Sequence, residues 1–168
     1  MRDTPPPAAT ATVAVRVAAE RAATFDLFTR EVDLWWRRGP KFRHAGSRDG
    51  SITIEPRAGG RVFERWREDG TVREFDLGEV LVWQPPERLV FSWRNATFAP
   101  LERTEVEVTF ADAAGGTLVT VRHRGWESLR DDHPARHGLV GAAFARSLGL
   151  WWGDQLTALR ERGTPATG

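Results

Sequence analysis

His123 is the residue whose type and position could do acid–base chemistry near neutral pH. It lies in the alternating run Thr117 to Arg124, in which Val119, Val121 and His123 share one face of a strand. An imidazole on an apolar face could orient a ligand carbonyl or transfer a proton. It could equally be a core histidine that is hydrogen-bonded to a backbone carbonyl or a buried water, and the sequence leaves both interpretations open.

Glu64 is the carboxylate that alternation places on the same strand face as Val62 and Trp66. A carboxylate on a buried face needs a hydrogen-bonding or charged partner. A pair formed by Glu64 and His123 would be a usable general base, so these two residues are the candidate catalytic groups if the protein is an enzyme. Nothing in the sequence shows that the two side chains meet.

Aromatic side chains provide the candidate binding surface, because the chain has eight tryptophans, nine phenylalanines and no tyrosine. Large flat rings suit an apolar ligand that itself contains rings, although the same rings could simply fill a core. The residues that we expect to line a ligand cavity are Trp36, Trp66, Phe91, Trp93, Val121, His123, Phe144 and Trp151.

Other chemically active motifs have plainer interpretations. His133 and His137 have the four-residue spacing of metal ligands on a helix, but Pro134 indicates a helix start that Asp132 or His133 caps. The two glycine pairs are not followed by the helix, lysine and hydroxyl residue of a phosphate loop. No serine has the context of a nucleophile elbow, which argues against a hydrolase triad. From the histidine and glycine motifs together, we expect neither a metal nor a cofactor.

Composition narrows the class of protein. The 24 basic residues balance the 23 acidic ones, and no basic cluster indicates a nucleic-acid partner. The absence of cysteine excludes disulfides and thiolate chemistry. No apolar run approaches the ~20 residues of a membrane span, and the first residues lack the apolar segment of a signal peptide. We therefore expect a cytoplasmic protein.

One long amphipathic segment must position the candidate residues. From Pro134 to Arg162 apolar side chains recur at steps of three and four, which predicts one helix or two end to end. The apolar stripe is too wide to remain in water and must pack on another element. It comprises Val140, Phe144, Leu148, Trp151, Trp152, Gln155, Leu156 and Leu159.

The segments before this helix supply that partner. Thr12 to Val17 predicts a strand, and Glu20 to Trp36 predicts two short helices. Six more strands follow with short turns, which favours an antiparallel meander. The expected fold is α+β, with a curved antiparallel sheet of about seven strands wrapped around the long helix. We expect one domain over residues 11–163, with disordered tails at 1–10 and 164–168.

This order of elements resembles the helix-grip fold of the START-like, or SRPBCC, superfamily. Several local motifs are similar to those of the subfamily named after the activator of the heat-shock protein 90 ATPase, and the resemblance spans about Thr12 to Arg162. The motifs that carry it are Phe25-Asp-Leu-Phe28 with Trp35-Trp36, Pro56-Arg-Ala-Gly-Gly60, Gly78-Glu-Val-Leu81, Pro85-Pro-Glu-Arg-Leu89, Phe91-Ser-Trp93, Thr104-Glu-Val-Glu-Val-Thr-Phe110, His123-Arg-Gly-Trp126 and Trp152 with Leu156 and Leu159.

The resemblance implies a cavity between sheet and final helix, but the superfamily hosts several functions. The first hypothesis is binding of a small hydrophobic ligand, aromatic or acyl, without catalysis. The second is a cyclase- or aromatase-like enzyme in which His123 moves protons. The third is a protein-interaction module similar to a co-chaperone. Many members are bacterial, and homodimerisation through exposed apolar residues such as Leu150 is left open.

Overall fold

The computed structural model describes residues 10–165 and contains a seven-stranded antiparallel sheet. Its strands are β1 (Ala11–Val17), β2 (Gly50–Ile54), β3 (Arg61–Glu68), β4 (Thr71–Gln84), β5 (Arg88–Trp93), β6 (Thr104–Ala113) and β7 (Gly116–Arg124). The spatial order is β1-β7-β6-β5-β4-β3-β2, so β2 to β7 form the expected meander and the first strand pairs with the last. Most of both predicted tails lies outside the described residues.

Turns and bends follow from particular residues. Asp69 and Gly70 both have positive φ, 50° and 75°, as the two-residue turn between β3 and β4 requires. In the long strand β4, a Cβ atom at Gly78 would overlap the carbonyl oxygen of Ser92 on β5. Only glycine allows this close approach. The register between β4 and β5 also shifts nearby, between Val80 and Val82, which is the kind of irregularity that bends a strand.

Three helices pack on the concave face: α1 (Arg21–Thr29), α2 (Val32–Trp35) and α3 (Gly141–Gly163). Alternation decides which strand residues meet them, because Val106, Val108 and Phe110 of β6 are buried while the residues between them are half-buried. On α3, the side chains of Trp152, Leu156 and Leu159 are at most 1% exposed. The α+β helix-grip prediction is therefore confirmed.

The start of the long helix was predicted wrongly. Pro134 opens only a short 3₁₀ turn, Pro134–Arg136, and α3 begins at Gly141. His137 and Gly138 adopt left-handed φ values of 50° and 77°, which end the turn. Val140 is consequently the residue before α3, and it is 51% exposed rather than part of the buried stripe. Within residues 10–165 no helix is long and apolar enough to cross a membrane.

Candidate functional site

A cavity of about 810 Å³ opens beside the N-terminal half of α3. It lies between that helix, the loop that contains residues 40–48, and the ends of β5 and β7. The C-terminal half of α3 is different, since Trp152, Leu156 and Leu159 fill the space against the sheet. The rings and aliphatic side chains that line the open space belong to Phe42, Trp93, His123, Trp126, Ala135, Phe144, Leu148, Leu150 and Trp151.

A cluster of four tryptophans builds one side of this cavity, where Trp93 and Trp151 line the open space and Trp36 and Trp152 pack behind them. Trp36 is the centre of the cluster, and its ring stacks on Trp93 with 5.8 Å between centroids. Trp151 and Trp152 meet Trp36 edge-on, at 5.8 and 5.7 Å. Trp151 also donates a hydrogen bond from Nε1 to the carbonyl oxygen of Lys41, at 2.9 Å. This bond joins α3 to the loop on the opposite side of the cavity.

The three lysine and arginine side chains that line the cavity each have an acidic partner. Lys41 Nζ lies 3.2 Å from Asp154, and Arg48 lies 3.3 Å from Glu68. The buried guanidinium of Arg43 contacts Asp33 at 2.7 Å. The remaining polar rim includes Asn95, Thr97, His137 and Ser147. With these charges balanced, the cavity suits an uncharged ligand better than an anion.

His123 lies at the base of the cavity with both ring nitrogens occupied. Nδ1 accepts a hydrogen bond of 3.1 Å from Nε1 of Trp152, which can only donate. Nε2 lies 2.7 Å from the hydroxyl oxygen of Thr104 and therefore carries the proton of the neutral ring. The side chain is 1% exposed. Burial lowers the pKa of His123 to about 3, because the imidazolium would lose its hydration.

Glu64 is buried as expected, but its partner is not His123. Its carboxylate lies 2.7 Å from Nδ1 of His44 and accepts backbone N–H bonds from His44 at 3.0 Å and Ala45 at 3.3 Å. The side chain is 1% exposed, so these three donors replace its hydration. The hypothetical Glu64–His123 pair is therefore replaced by a Glu64–His44 pair.

The predicted binding residues divide into two groups. Trp93, His123, Phe144 and Trp151 line the cavity. Phe91 and Val121 are fully buried in the core, and Trp36 supports Trp93 and Trp151. Trp66 is half-buried on β3, where its Nε1 donates to Glu68 at 3.3 Å. These four do not border the open space as the structure describes it.

The loop between α2 and β2 contributes residues that sequence reasoning missed. Phe42 and His44 line the cavity, although this loop has no hydrophobic period that would predict their direction. The buried Glu64 was the available signal, because it demanded a partner. Nothing in the sequence selects His44 from the other basic residues as this partner, because His44 and Glu64 are twenty positions apart.

His133 has the capping role that was expected of it. Its Nδ1 accepts a hydrogen bond of 3.1 Å from the backbone N–H of Ala135, at the start of the 3₁₀ turn. Its Nε2 lies 3.0 Å from Glu102. His137 instead lies exposed on the cavity rim.

A curled seven-stranded sheet that grips a long C-terminal helix defines the START-like, or SRPBCC, class of protein. Within it, the chain belongs to the family described as "Activator of Hsp90 ATPase homolog 1-like protein", whose model matches residues 18–149. No curated protein sequence matches the chain significantly.

Solved structures share the fold at low identity. Protein MLL2253 of Mesorhizobium loti is 19% identical, with a TM-score of 0.60 over 90% of this chain and 94% of that one. The Aha1 dimer of Colwellia psychrerythraea is 14% identical, with a TM-score of 0.61 over 95% of this chain and 98% of that one. DynU16, from the dynemicin biosynthetic locus, is 23% identical, with a TM-score of 0.60 over 92% of this chain and 47% of that one.

Proposed function

We propose that this protein binds a small, uncharged, ring-containing hydrophobic ligand in the cavity beside the N-terminal half of α3. The observation that carries the proposal is the aromatic lining of a cavity of about 810 Å³. That volume lies within the range of about 300–1,000 Å³ that is typical of small-molecule sites. Trp93, Trp151 and Phe144 contribute aromatic rings to the lining, against which an apolar ring can pack.

The polar features of the cavity agree with this ligand class. The three basic rim side chains are paired with acids, so an anionic ligand would have to compete with Asp33, Glu68 and Asp154. Binding an uncharged ligand avoids the cost of burying a charge.

Ligand binding is favoured over the enzyme hypothesis because His123 is poorly placed to transfer protons. Both of its nitrogens are used internally, by Trp152 and Thr104. Burial also disfavours the imidazolium that a proton shuttle must form. The cyclase-like alternative would therefore need another base. We also propose a cytoplasmic location, and we keep the co-chaperone-like function as an alternative. Association into a homodimer is a further proposal, which agrees with the description of the Colwellia protein as a dimer.

Two neighbouring positions on α3 allow a direct test of the cavity. Ser147 and the adjacent Arg146 are both exposed, but only Ser147 borders the cavity. We expect the fluorescent apolar probe N-phenylnaphthalen-1-amine to bind the wild type at one site. Ser147→Trp should weaken binding at least tenfold by filling the space, and Arg146→Trp should leave it within twofold. Equal binding by both variants, or no binding by the wild type, would overturn the proposed function.

A further inference from the structure

We infer that His44, oriented by the buried carboxylate of Glu64, is the specificity-determining hydrogen-bond acceptor of the cavity, and that the ligand is a hydroxylated aromatic compound. This inference rests on the proposed function and adds a polar group to the ligand. His44 lines the same cavity as Trp93 and Trp151. Aromatic rings can hold a flat ligand, but they do not distinguish one substituent from another.

The contacts of Glu64 determine which nitrogen of His44 carries the proton. The carboxylate accepts two backbone N–H bonds, from His44 and Ala45, and these donors are fixed. It is therefore an acceptor toward Nδ1 as well, at 2.7 Å. The neutral ring then has its proton on Nδ1 and its lone pair on Nε2.

Packing fixes the orientation of the ring. His44 stacks on Phe75 with 3.9 Å between centroids and 15° between planes. The edge with Nδ1 faces Glu64, which turns the opposite edge away from the buried carboxylate. Among the described residues, Nε2 has no hydrogen-bond partner, and it is not one of the enclosed unsatisfied atoms. The side chain is 21% exposed, so the lone pair is accessible to a ligand in the cavity.

The hydroxyl group of a phenol or naphthol is the donor that matches this site. Its ring can pack on the tryptophans while its O–H donates to Nε2 of His44. Only the hydroxyl hydrogen makes this bond, so the methyl ether of the same ring system loses it. His123 cannot substitute for His44, because Trp152 and Thr104 occupy both of its nitrogens.

A matched pair of probes tests the inference. The Kd values of naphthalen-2-ol and 2-methoxynaphthalene are measured by titration calorimetry for the wild type. We expect about five- to tenfold tighter binding of naphthalen-2-ol, which corresponds to one hydrogen bond that the ether cannot make. Equal affinities, or a preference for the ether, would overturn the role of His44 and leave the proposed function standing. If neither probe binds, both ideas are wrong.

Two variants assign the preference to the nitrogen itself. His44→Phe preserves the stacking on Phe75 but removes both nitrogens, and it should bring the two affinities within twofold of each other. Because this variant deprives Glu64 of a donor and could unfold, a second variant is His44→Asn, whose side-chain amide N–H can donate to Glu64 in place of Nδ1. Asparagine has no atom at the position of Nε2 and should abolish the preference equally. His137→Asn, on the same rim, should retain the full preference. Retention of the preference in either position-44 variant would overturn the inference.

Discussion

Nε1 of Trp152 donates a hydrogen bond of 3.1 Å to Nδ1 of His123, and this bond ties the long helix to the last strand across the core. The proton on the other ring nitrogen then faces Thr104 on β6, at 2.7 Å. Three elements, α3, β7 and β6, are thereby joined by one imidazole. Both bonds lie in the buried core, where unpaired polar groups are costly.

Removal of the His123 ring should destabilise the protein. His123→Ala leaves the indole N–H of Trp152 and the hydroxyl of Thr104 without their partner and creates a cavity. We expect the free energy of unfolding to fall by about 2–4 kcal/mol, measured by urea denaturation. Arg122→Ala, at the exposed neighbouring position of β7, should change it by no more than about 0.5 kcal/mol. Equal stability of the His123 variant and wild type would contradict this structural role.

Acid should destabilise the protein through the same residue. Burial lowers the pKa of His123 from 6.5 to about 3 in the folded state. The unfolded chain therefore binds more protons between these values, so the stability present above pH 6.5 is lost as the pH falls toward 3. Between pH 7 and pH 5, His123 should reduce the free energy of unfolding by about 2 kcal/mol.

The variant His123→Gln provides the comparison for this pH dependence. Its loss of stability over the same interval should be smaller than that of the wild type by this amount, because glutamine does not titrate. Parallel pH profiles for the two proteins would show that His123 is not buried in its neutral form.

The direction of His123 was predictable because β7 alternates without interruption. Val119, Val121 and His123 are all buried on the same face of β7, as the period of two required. The start of α3 was not predictable in the same way. Pro134 is as suitable for the first turn of a 3₁₀ segment as for a long helix, and only the left-handed backbone at His137 separates the two.

Trp151 and Trp152 are adjacent but should respond differently to substitution. Trp152 is completely buried, and Trp152→Phe should lower the free energy of unfolding by about 2–3 kcal/mol while leaving probe affinity within twofold. Trp151 lines the cavity, so Trp151→Phe should cost less than about 1 kcal/mol but weaken binding of N-phenylnaphthalen-1-amine at least threefold. Urea denaturation and fluorescence titration measure the two effects. The reverse pattern would contradict the assignment of one tryptophan to the core and the other to the site.

Two glycines should differ in their tolerance of alanine. Gly78→Ala places a Cβ atom against the backbone of Ser92, so we expect the free energy of unfolding to fall by about 3 kcal/mol or more. Gly153 lies within α3 with nothing within 4 Å of its added Cβ. Gly153→Ala should therefore raise the free energy of unfolding by about 0.5–1 kcal/mol. Thermal denaturation of both variants provides the comparison, and a stable Gly78→Ala protein would contradict the close approach of β4 and β5.

The sequence predicted the aromatic character of the site better than its location. Trp93, Phe144 and Trp151 were recognised because strand and helix periods assign them to inner faces. Phe91 and Val121 share such faces and are nevertheless enclosed, because other side chains cover them. Periodicity predicts which face of an element a residue occupies. It does not predict which part of that face borders a cavity and which part is covered by other side chains. His44 was missed for a related reason, since its position depends on a contact with Glu64 across twenty residues.

A crystal structure of the protein equilibrated with naphthalen-2-ol would test the binding site and the role of His44 together. We predict electron density for the ring system between Trp93, Trp151 and Phe144, with the ligand oxygen within hydrogen-bond distance of Nε2 of His44. Density in that cavity with the oxygen directed elsewhere would support the binding site and contradict the role of His44. A cavity closed by its own tryptophans, with the ligand absent or bound elsewhere, would contradict ligand binding beside the N-terminal half of α3.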